Sequence, residues 1–189
     1  MNFFKVWFLG IIKPSHAFNE LRKKPASNWG FWAILISFLG TSITTILALH
    51  LLGRRPFEHS YLNFLSDRNY YVAEMIFLPI FGFAIWILTS GIVHLVLCLV
   101  GNFDQILNVV GMGMLIIMPA VWLWDWLMIG LNRYQMDMMA ISHSVFATWG
   151  IMLYSMGFKK ILGIRTLPAI GLALIIPGVY IPLAMIFIR

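Results

Sequence analysis

Asp125 stands between two tryptophans in the apolar stretch VWLWDWLMIG, residues 121–130, which contains no other charged residue. A carboxylate is costly in the hydrocarbon of a membrane, so such residues usually face a bundle interior and serve proton or ion pathways. Three further titratable side chains, His50, Glu74 and His143, lie near the ends of other apolar stretches. Because imidazole and carboxylate carry protons and bind transition metals, these four residues form the candidate polar layer.

Two interpretations of this layer remain open. In one, the four side chains converge as a proton relay or a cation site; in the other, they are hydrated groups at helix ends or interhelical hydrogen bonds that fix the packing. They lie on separate apolar stretches, and no H-E-x-x-H-like pair places two ligands on one helix face. The pattern therefore favours the structural interpretation and predicts no metal site, no cofactor and no catalytic residue.

The helical neighbours of Asp125 include no basic residue, so compensation for its charge has to come from another helix. We expect Asp125 to face the bundle interior or its outer mouth, where His50 or His143 can donate a hydrogen bond to it. Hydrolytic chemistry has less support. Ser90 and His94 are spaced i,i+4, but no orienting carboxylate accompanies them, so the sequence does not predict an enzyme.

The composition identifies the elements that must position these residues. The chain of 189 residues is 61% hydrophobic and 11% charged, with a mean hydropathy of +0.88. Soluble domains carry about 25% charged residues, so this is an integral membrane protein. The net charge of +6 comes from short basic clusters beside apolar stretches, which suit lipid headgroups and exclude a nucleic-acid partner.

Five apolar stretches are long enough to cross a hydrocarbon core of about 30 Å as helices. They are residues 29–52, 71–100, 106–131, 138–158 and 167–188. Lipid offers the backbone no hydrogen-bonding partner, so each stretch is predicted to be helical. The fold class is therefore all-α: a polytopic membrane protein in which residues 29–189 form a bundle of five transmembrane helices.

Residues 1–28 are predicted to be a cytoplasmic segment lying at the membrane surface. The spacing of Phe4, Trp7 and Phe8 is typical of a short amphipathic helix in the headgroup region. A second helix is expected to start at Ser15 as its N-cap, with Phe18 and Leu21 facing lipid. The residues expected to contact phosphates are Lys13, Arg22, Lys23 and Lys24.

The lysines and arginines also predict the orientation. If the N-terminus is cytoplasmic, eight of the thirteen basic residues fall on the inner side and five on the outer side. The chain is then expected in the plasma or inner membrane of the cell, with its C-terminus outside. Asp125, His50, Glu74 and His143 would all lie in the outer leaflet.

Two segments resemble a known family. KPSHAFNELRKKP, residues 13–25, is similar to the entry segment of prokaryotic members of the Ypt-interacting-protein (Yip-one domain) family, through Pro14, Ala17, Phe18, Leu21 and Pro25. GNFDQILNVVGMGMLIIMP, residues 101–119, resembles the link between spans two and three of that family. Five spans after a cytoplasmic N-terminus also fit, so the resemblance covers nearly the whole chain.

The resemblance implies a multi-pass protein that acts through protein partners in vesicle transport or in the assembly of membrane complexes. The chain lacks the long cytosolic arm and the aspartate-leucine-x-glycine-proline element of eukaryotic members, which argues against GTPase binding. We expect a non-enzymatic accessory, assembly or scaffold protein that contacts the lipid bilayer and other integral membrane proteins or a second copy of itself. The alternative is a small transporter or an ion- or proton-binding protein that uses the polar layer.

Overall fold

A computed structural model describes residues 2–23, 28–56, 65–97 and 102–187. Within these ranges every regular element is helical, so the prediction of an all-α polytopic bundle is confirmed. The elements are α1 Phe3–Ile12, α2 Pro14–Arg22, α3 Asn28–Thr41, a π-helical segment Ser42–Ile46, α4 Leu47–Leu51, α5 Asp67–Val96, α6 Phe103–Gly130, α7 Met136–Leu162 and α8 Thr166–Phe187.

Four of the described helices are both long enough and apolar enough to cross a membrane: Asn28–Leu51, Asn69–Val96, Phe103–Gly130 and Thr166–Ala184. They match four of the five predicted spans to within a few residues, and residues 98–100 of the second prediction lie outside the described ranges. The fifth, α7, has 27 residues and packs against α6 and α8, but hydroxyl and charged residues lower its hydropathy. That α7 also crosses the membrane stays a prediction.

The long helices run antiparallel in chain order, so their ends alternate between two sides of the bundle. α2 packs against the C-terminal part of α7, where a Cβ on Gly157 would lie 2.9 Å from the ring of Phe18. We call the side that holds α2 the proximal end and the opposite side the distal end. α3, α6 and α8 begin at the proximal end, and α5 and α7 begin at the distal end.

The bundle is built around α6, the most buried of the four candidate spans. α3 approaches it so closely that a Cβ on Gly111 would lie 2.6 Å from the backbone of Gly30. Only glycine permits this approach, which brings the Gly30 N–H within 2.7 Å of the buried Asn108 Oδ1. The side chain thus accepts from an N–H in the first turn of α3 that has no partner within its own helix.

Prolines lie inside α5, α6 and α8, and in α5 a neighbouring helix contacts the carbonyl that the proline leaves free. Pro79 has no N–H for the carbonyl of Met75, and Ser42 Oγ, which donates to the carbonyl of Phe38 in its own helix at 2.9 Å, also lies 3.1 Å from this carbonyl oxygen. Ser42 opens the π-helical segment, whose extra residue changes which side chains face the neighbouring helices. Ser42 thus joins the start of the π-helical segment to the proline site of α5.

The N-terminal helices differ from expectation in two ways. Phe18 and Leu21 are each only 1% exposed, so the prediction that they face lipid is wrong; α2 packs them against α6 and α7. The N-cap of α2 is Lys13 rather than Ser15, because Pro14 occupies the first helical position, where its missing N–H costs nothing. α1 instead supplies the exposed apolar surface, with Phe4 and Phe8 each more than 60% exposed.

Candidate functional site

Four helical segments place polar side chains at one level of the bundle. Asp125 on α6, Glu74 on α5, His143 on α7 and Thr45 in the π-helical segment lie five to seven residues from the distal ends of their helices. At 1.5 Å per residue this is about 8 to 10 Å from each end. The antiparallel packing therefore gathers side chains that are far apart in sequence.

Asp125 is the centre of this layer. It is 2% exposed, and its Oδ2 accepts a hydrogen bond of 3.0 Å from Thr45 Oγ1. Its second oxygen, Oδ1, lies 3.8 Å from Nε2 of His143 and has no hydrogen-bond partner among the described residues. Asp125 thus points into the protein, where one of its two oxygens is satisfied.

His143 connects this buried carboxyl group to the surface of the bundle. Its side chain is 43% exposed, against 3% for that of Asp125. Nδ1 lies 2.9 Å from the carbonyl oxygen of Met139, one turn earlier on α7, and the ring packs edge-on against Phe146. One edge of the imidazole is therefore fixed by its own helix while the other faces Asp125.

Two tyrosines that the sequence analysis did not single out belong to the same layer. Tyr134, in the connection between α6 and α7, and Tyr180, on α8, both interact electrostatically with Asp125 and with the buried Glu74. Burial, followed by these two carboxylates, raises the pKa of Tyr134 well above its ordinary value of 10, so its phenol stays protonated. In the sequence, only the short separation between Tyr134 and Asp125 indicated that Tyr134 could belong to this layer.

The other predicted residues are placed differently. His50 lies half buried at the end of α4 and, among the described residues, is not a hydrogen-bonding partner of Asp125. The structure thus brings together Glu74, Asp125 and His143 of the four layer residues. No group of three histidine, cysteine, aspartate or glutamate side chains with the geometry of a metal site occurs in the described ranges.

The tryptophans beside Asp125 hold α6 to the first membrane helix. Trp122 Nε1 donates to Thr41 Oγ1 at 3.0 Å, and Trp126 Nε1 donates to the carbonyl of Thr44 at 3.2 Å. These bonds, together with Thr45 to Asp125, tie successive turns of the two helices. Both indoles therefore make interhelical hydrogen bonds.

The serine and histidine pairs do not assemble a nucleophile. Ser90 is fully buried and its Oγ, like Nδ1 of His94, has no hydrogen-bond partner in the described part of the chain. Ser142 and Ser144 donate to carbonyls of their own helix. Ser142 Oγ lies 3.5 Å from Nδ1 of His143, but that nitrogen faces the carbonyl oxygen of Met139 at 2.9 Å and so does not serve as the base that a serine nucleophile needs.

Three of the four predicted headgroup residues are described, and they lie at the proximal end. Lys13, Arg22 and Lys23 are exposed, and Lys24 lies outside the described ranges. Lys23 Nζ is 2.6 Å from Glu20 Oε1, and this hydrogen bond lowers the pKa of Glu20. This exposed ion pair contributes little to stability, because water screens it.

The long apolar helices, the exposed apolar surface and the buried polar layer define a multi-pass helical membrane protein. A family model described as the Yip1 domain matches residues 9–188, which is nearly the whole chain. The chain therefore belongs to the Yip1 domain family, whose members are in general non-enzymatic membrane proteins related to membrane traffic. No curated protein and no solved structure matches the chain in the corresponding comparisons.

Proposed function

We propose that this protein is an accessory or assembly factor that binds another integral membrane protein through its transmembrane surface and catalyses no reaction. Family membership supports a role in membrane traffic or in the support of membrane complexes. The observation that carries the proposal is the open face of α8. Only 22% of the most apolar 18-residue stretch of α8 is buried within the bundle, against 67% of the corresponding stretch of α6.

The open face of α8 has the surface features of a helix-packing site. Gly171 and Gly178 lie two turns apart on this exposed side, and a Cβ at either position would meet nothing within 4 Å. Between them, Leu174 is 50% exposed. In lipid, apolar surface alone does not drive helix association, so glycines that admit a second backbone are what a partner helix requires.

The proposal includes the topology and the lipid contacts. The N-terminus is cytoplasmic, α7 is a membrane span, and the C-terminus lies outside the plasma or inner membrane. Lys13, Arg22, Lys23 and Lys24 contact anionic headgroups at the inner surface, where each basic residue contributes about 1 kcal/mol of attraction. The phosphate contacts hold α2 at the membrane surface while its apolar side packs into the bundle.

The experiment is affinity purification of the full chain in a mild detergent, followed by mass spectrometry of the proteins that remain bound. Gly171→Leu combined with Gly178→Leu should reduce recovery of the integral membrane partner at least tenfold, because the leucine side chains would keep the backbone of a partner helix away from α8. Both positions are open, so the variant should fold and accumulate like the unmodified protein.

Gly91→Leu is the matched control, because Gly91 on α5 also has nothing within 4 Å of an added Cβ. It should leave partner recovery unchanged. Equal recovery with the α8 double variant would show that this face does not bind the partner. Recovery of a second copy of this chain alone would replace the accessory role with homo-oligomer formation.

A further inference from the structure

The helix that carries His143 fixes the tautomer of its imidazole. Nδ1 lies 2.9 Å from the carbonyl oxygen of Met139, and a carbonyl can only accept a hydrogen bond. Ser142 Oγ is 3.5 Å from the same nitrogen, but its proton is already directed to the carbonyls of Met138 and Met139. In the neutral ring the proton is therefore on Nδ1, and Nε2 carries a lone pair.

That lone pair faces the oxygen of Asp125 that has no hydrogen bond. Nε2 and Oδ1 are 3.8 Å apart, while Oδ2 is occupied by the hydroxyl of Thr45. A neutral imidazole and an ionised carboxylate would place two acceptors against each other in a buried position. One proton on either atom converts them into a donor and an acceptor, and they can then close to hydrogen-bonding distance.

The groups that face this pair come from every neighbouring element. The π-helical segment contributes the hydroxyl of Thr45, α8 and the α6–α7 connection contribute the phenols of Tyr180 and Tyr134, and α5 contributes Glu74. Among the described residues, His143 is the only group that can form an ion pair with Asp125. The hydroxyl and phenol groups cannot supply the positive charge that an ionised Asp125 needs, and a carboxyl group such as that of Glu74 cannot supply it either.

We propose that Asp125 and His143 together bind a single proton, and that this proton fastens α7 to the pair formed by α3 and α6. The proton comes from water at the distal end and enters through His143, whose side chain is partly exposed. When it is bound, an N–H···O or O–H···N hydrogen bond joins α6 to α7. When it leaves, the two acceptors repel and the contact opens. This inference does not depend on the accessory role.

The first test is the thermal unfolding midpoint of the full chain in nanodiscs between pH 5 and pH 9. The midpoint of the wild type should step down as the pH rises and the shared proton is lost. Asp125→Asn should abolish this downward step, because its amide can accept from Thr45 while donating its own N–H to Nε2 and has no proton to lose. His143→Gln leaves the carboxyl group of Asp125 to titrate alone, so its downward step should move to a different pH, and the double variant should lack the step as Asp125→Asn does.

The control is His50→Gln, which should keep the step because His50 does not contact Asp125. A wild-type profile without a downward step would overturn the proposal, as would a downward step that survives in Asp125→Asn or one that stays at the wild-type pH in His143→Gln. A rise in the midpoint caused by Na⁺ or Zn²⁺ and abolished by Asp125→Asn would also overturn it, because the site would then take a metal cation.

A second test needs no variant and so does not depend on how the variants fold. Protein labelled with ¹⁵N-histidine and ¹³C-carbonyl methionine identifies the His143 ring by the contact between Nδ1 and the Met139 carbonyl. Solid-state NMR should show Nδ1 protonated throughout the titration and Nε2 as the nitrogen whose signal changes. A neutral ring protonated on Nε2 would contradict the proposal, because Asp125 would then already face a donor.

Discussion

Thr45 is the residue that holds the buried carboxyl group of Asp125 in a fixed position. Its hydroxyl donates to Oδ2 at 3.0 Å, and both residues are buried. Because both side chains are buried, removal of the hydroxyl leaves Oδ2 of Asp125 without its donor. The single hydrogen bond therefore fixes which oxygen of Asp125 is left for His143.

Thr45→Val removes this donor at nearly constant volume. We expect the free energy of unfolding to fall by about 1 to 3 kcal/mol, since a buried acceptor is left unsatisfied. The measurement is reversible unfolding in mixed micelles. Thr148→Val is the matched control, because the Thr148 hydroxyl is exposed and donates only to its own helix, and it should cost no more than about 0.5 kcal/mol. Equal losses in the two variants would contradict this role of Thr45.

At the scale of the elements, α1 completes a hydrogen bond that α6 lacks. Pro119 has no N–H for the carbonyl of Leu115, and Trp7 Nε1 donates to that carbonyl at 3.0 Å. Beside this bond, Val6 is buried, and a Cβ on Gly10 would lie 2.5 Å from the side chain of Ile116. α1 is thus docked on α6 by a polar contact in an otherwise apolar interface.

Trp7→Phe keeps the apolar ring and removes the donor. We expect it to lower the free energy of unfolding by about 1 to 3 kcal/mol, because the Leu115 carbonyl is left without a partner. In a Pro119→Ala background the alanine N–H reaches the same carbonyl, so the cost of Trp7→Phe should fall by at least about 1 kcal/mol. A double-mutant cycle in mixed micelles measures this coupling.

Trp32→Phe provides the control for the loss of an indole, because Trp32 is 51% exposed on α3. It should leave stability nearly unchanged in both backgrounds. An unchanged cost of Trp7→Phe after Pro119 is replaced would show that the indole stabilises α1 through its ring contacts alone.

At the scale of the whole molecule, α7 decides where the C-terminus lies. Its 27 residues extend about 40 Å at 1.5 Å per residue, which is more than a membrane requires. Its lower hydropathy distinguishes it from the other four long helices. Five spans place the two termini on opposite sides of the membrane, whereas four would place them on the same side.

A reporter enzyme that is active only outside the cytoplasm tests this count. Fused after Arg189 it should be active, and fused after Gly163, at the proximal end of α7, it should be inactive. The expectation follows from the basic residues at the proximal end, which include Lys159, Lys160 and Arg165. Activity after Gly163 with none after Arg189 would contradict the expectation, because it follows from four spans without α7 or from five spans in the reversed orientation. Inactivity at both sites would show that α8 does not cross.

The sequence alone determined the class and the approximate positions of the helices. Apolar stretches of about 20 residues must become helices in lipid, since every backbone hydrogen bond has to be made within the stretch. The depth of Asp125, Glu74 and His143 also followed from the sequence, because depth depends only on distance from the end of a helix. The family resemblance was visible in residues 13–25 and 101–119, and the Yip1 domain match over residues 9–188 confirms it.

Only the tertiary structure decided which faces meet. A membrane helix is apolar on all sides, so its hydrophobic pattern does not reveal how it is rotated. That rotation brings His143 rather than His50 to Asp125 and turns Phe18 into the bundle rather than into lipid. The contacts of Ser42 with Met75 and of Trp7 with Leu115 were equally hidden, because each involves a carbonyl that a proline frees in another helix. The position of a residue along its helix depends on that helix alone, whereas the residues that it contacts depend on how all the helices pack.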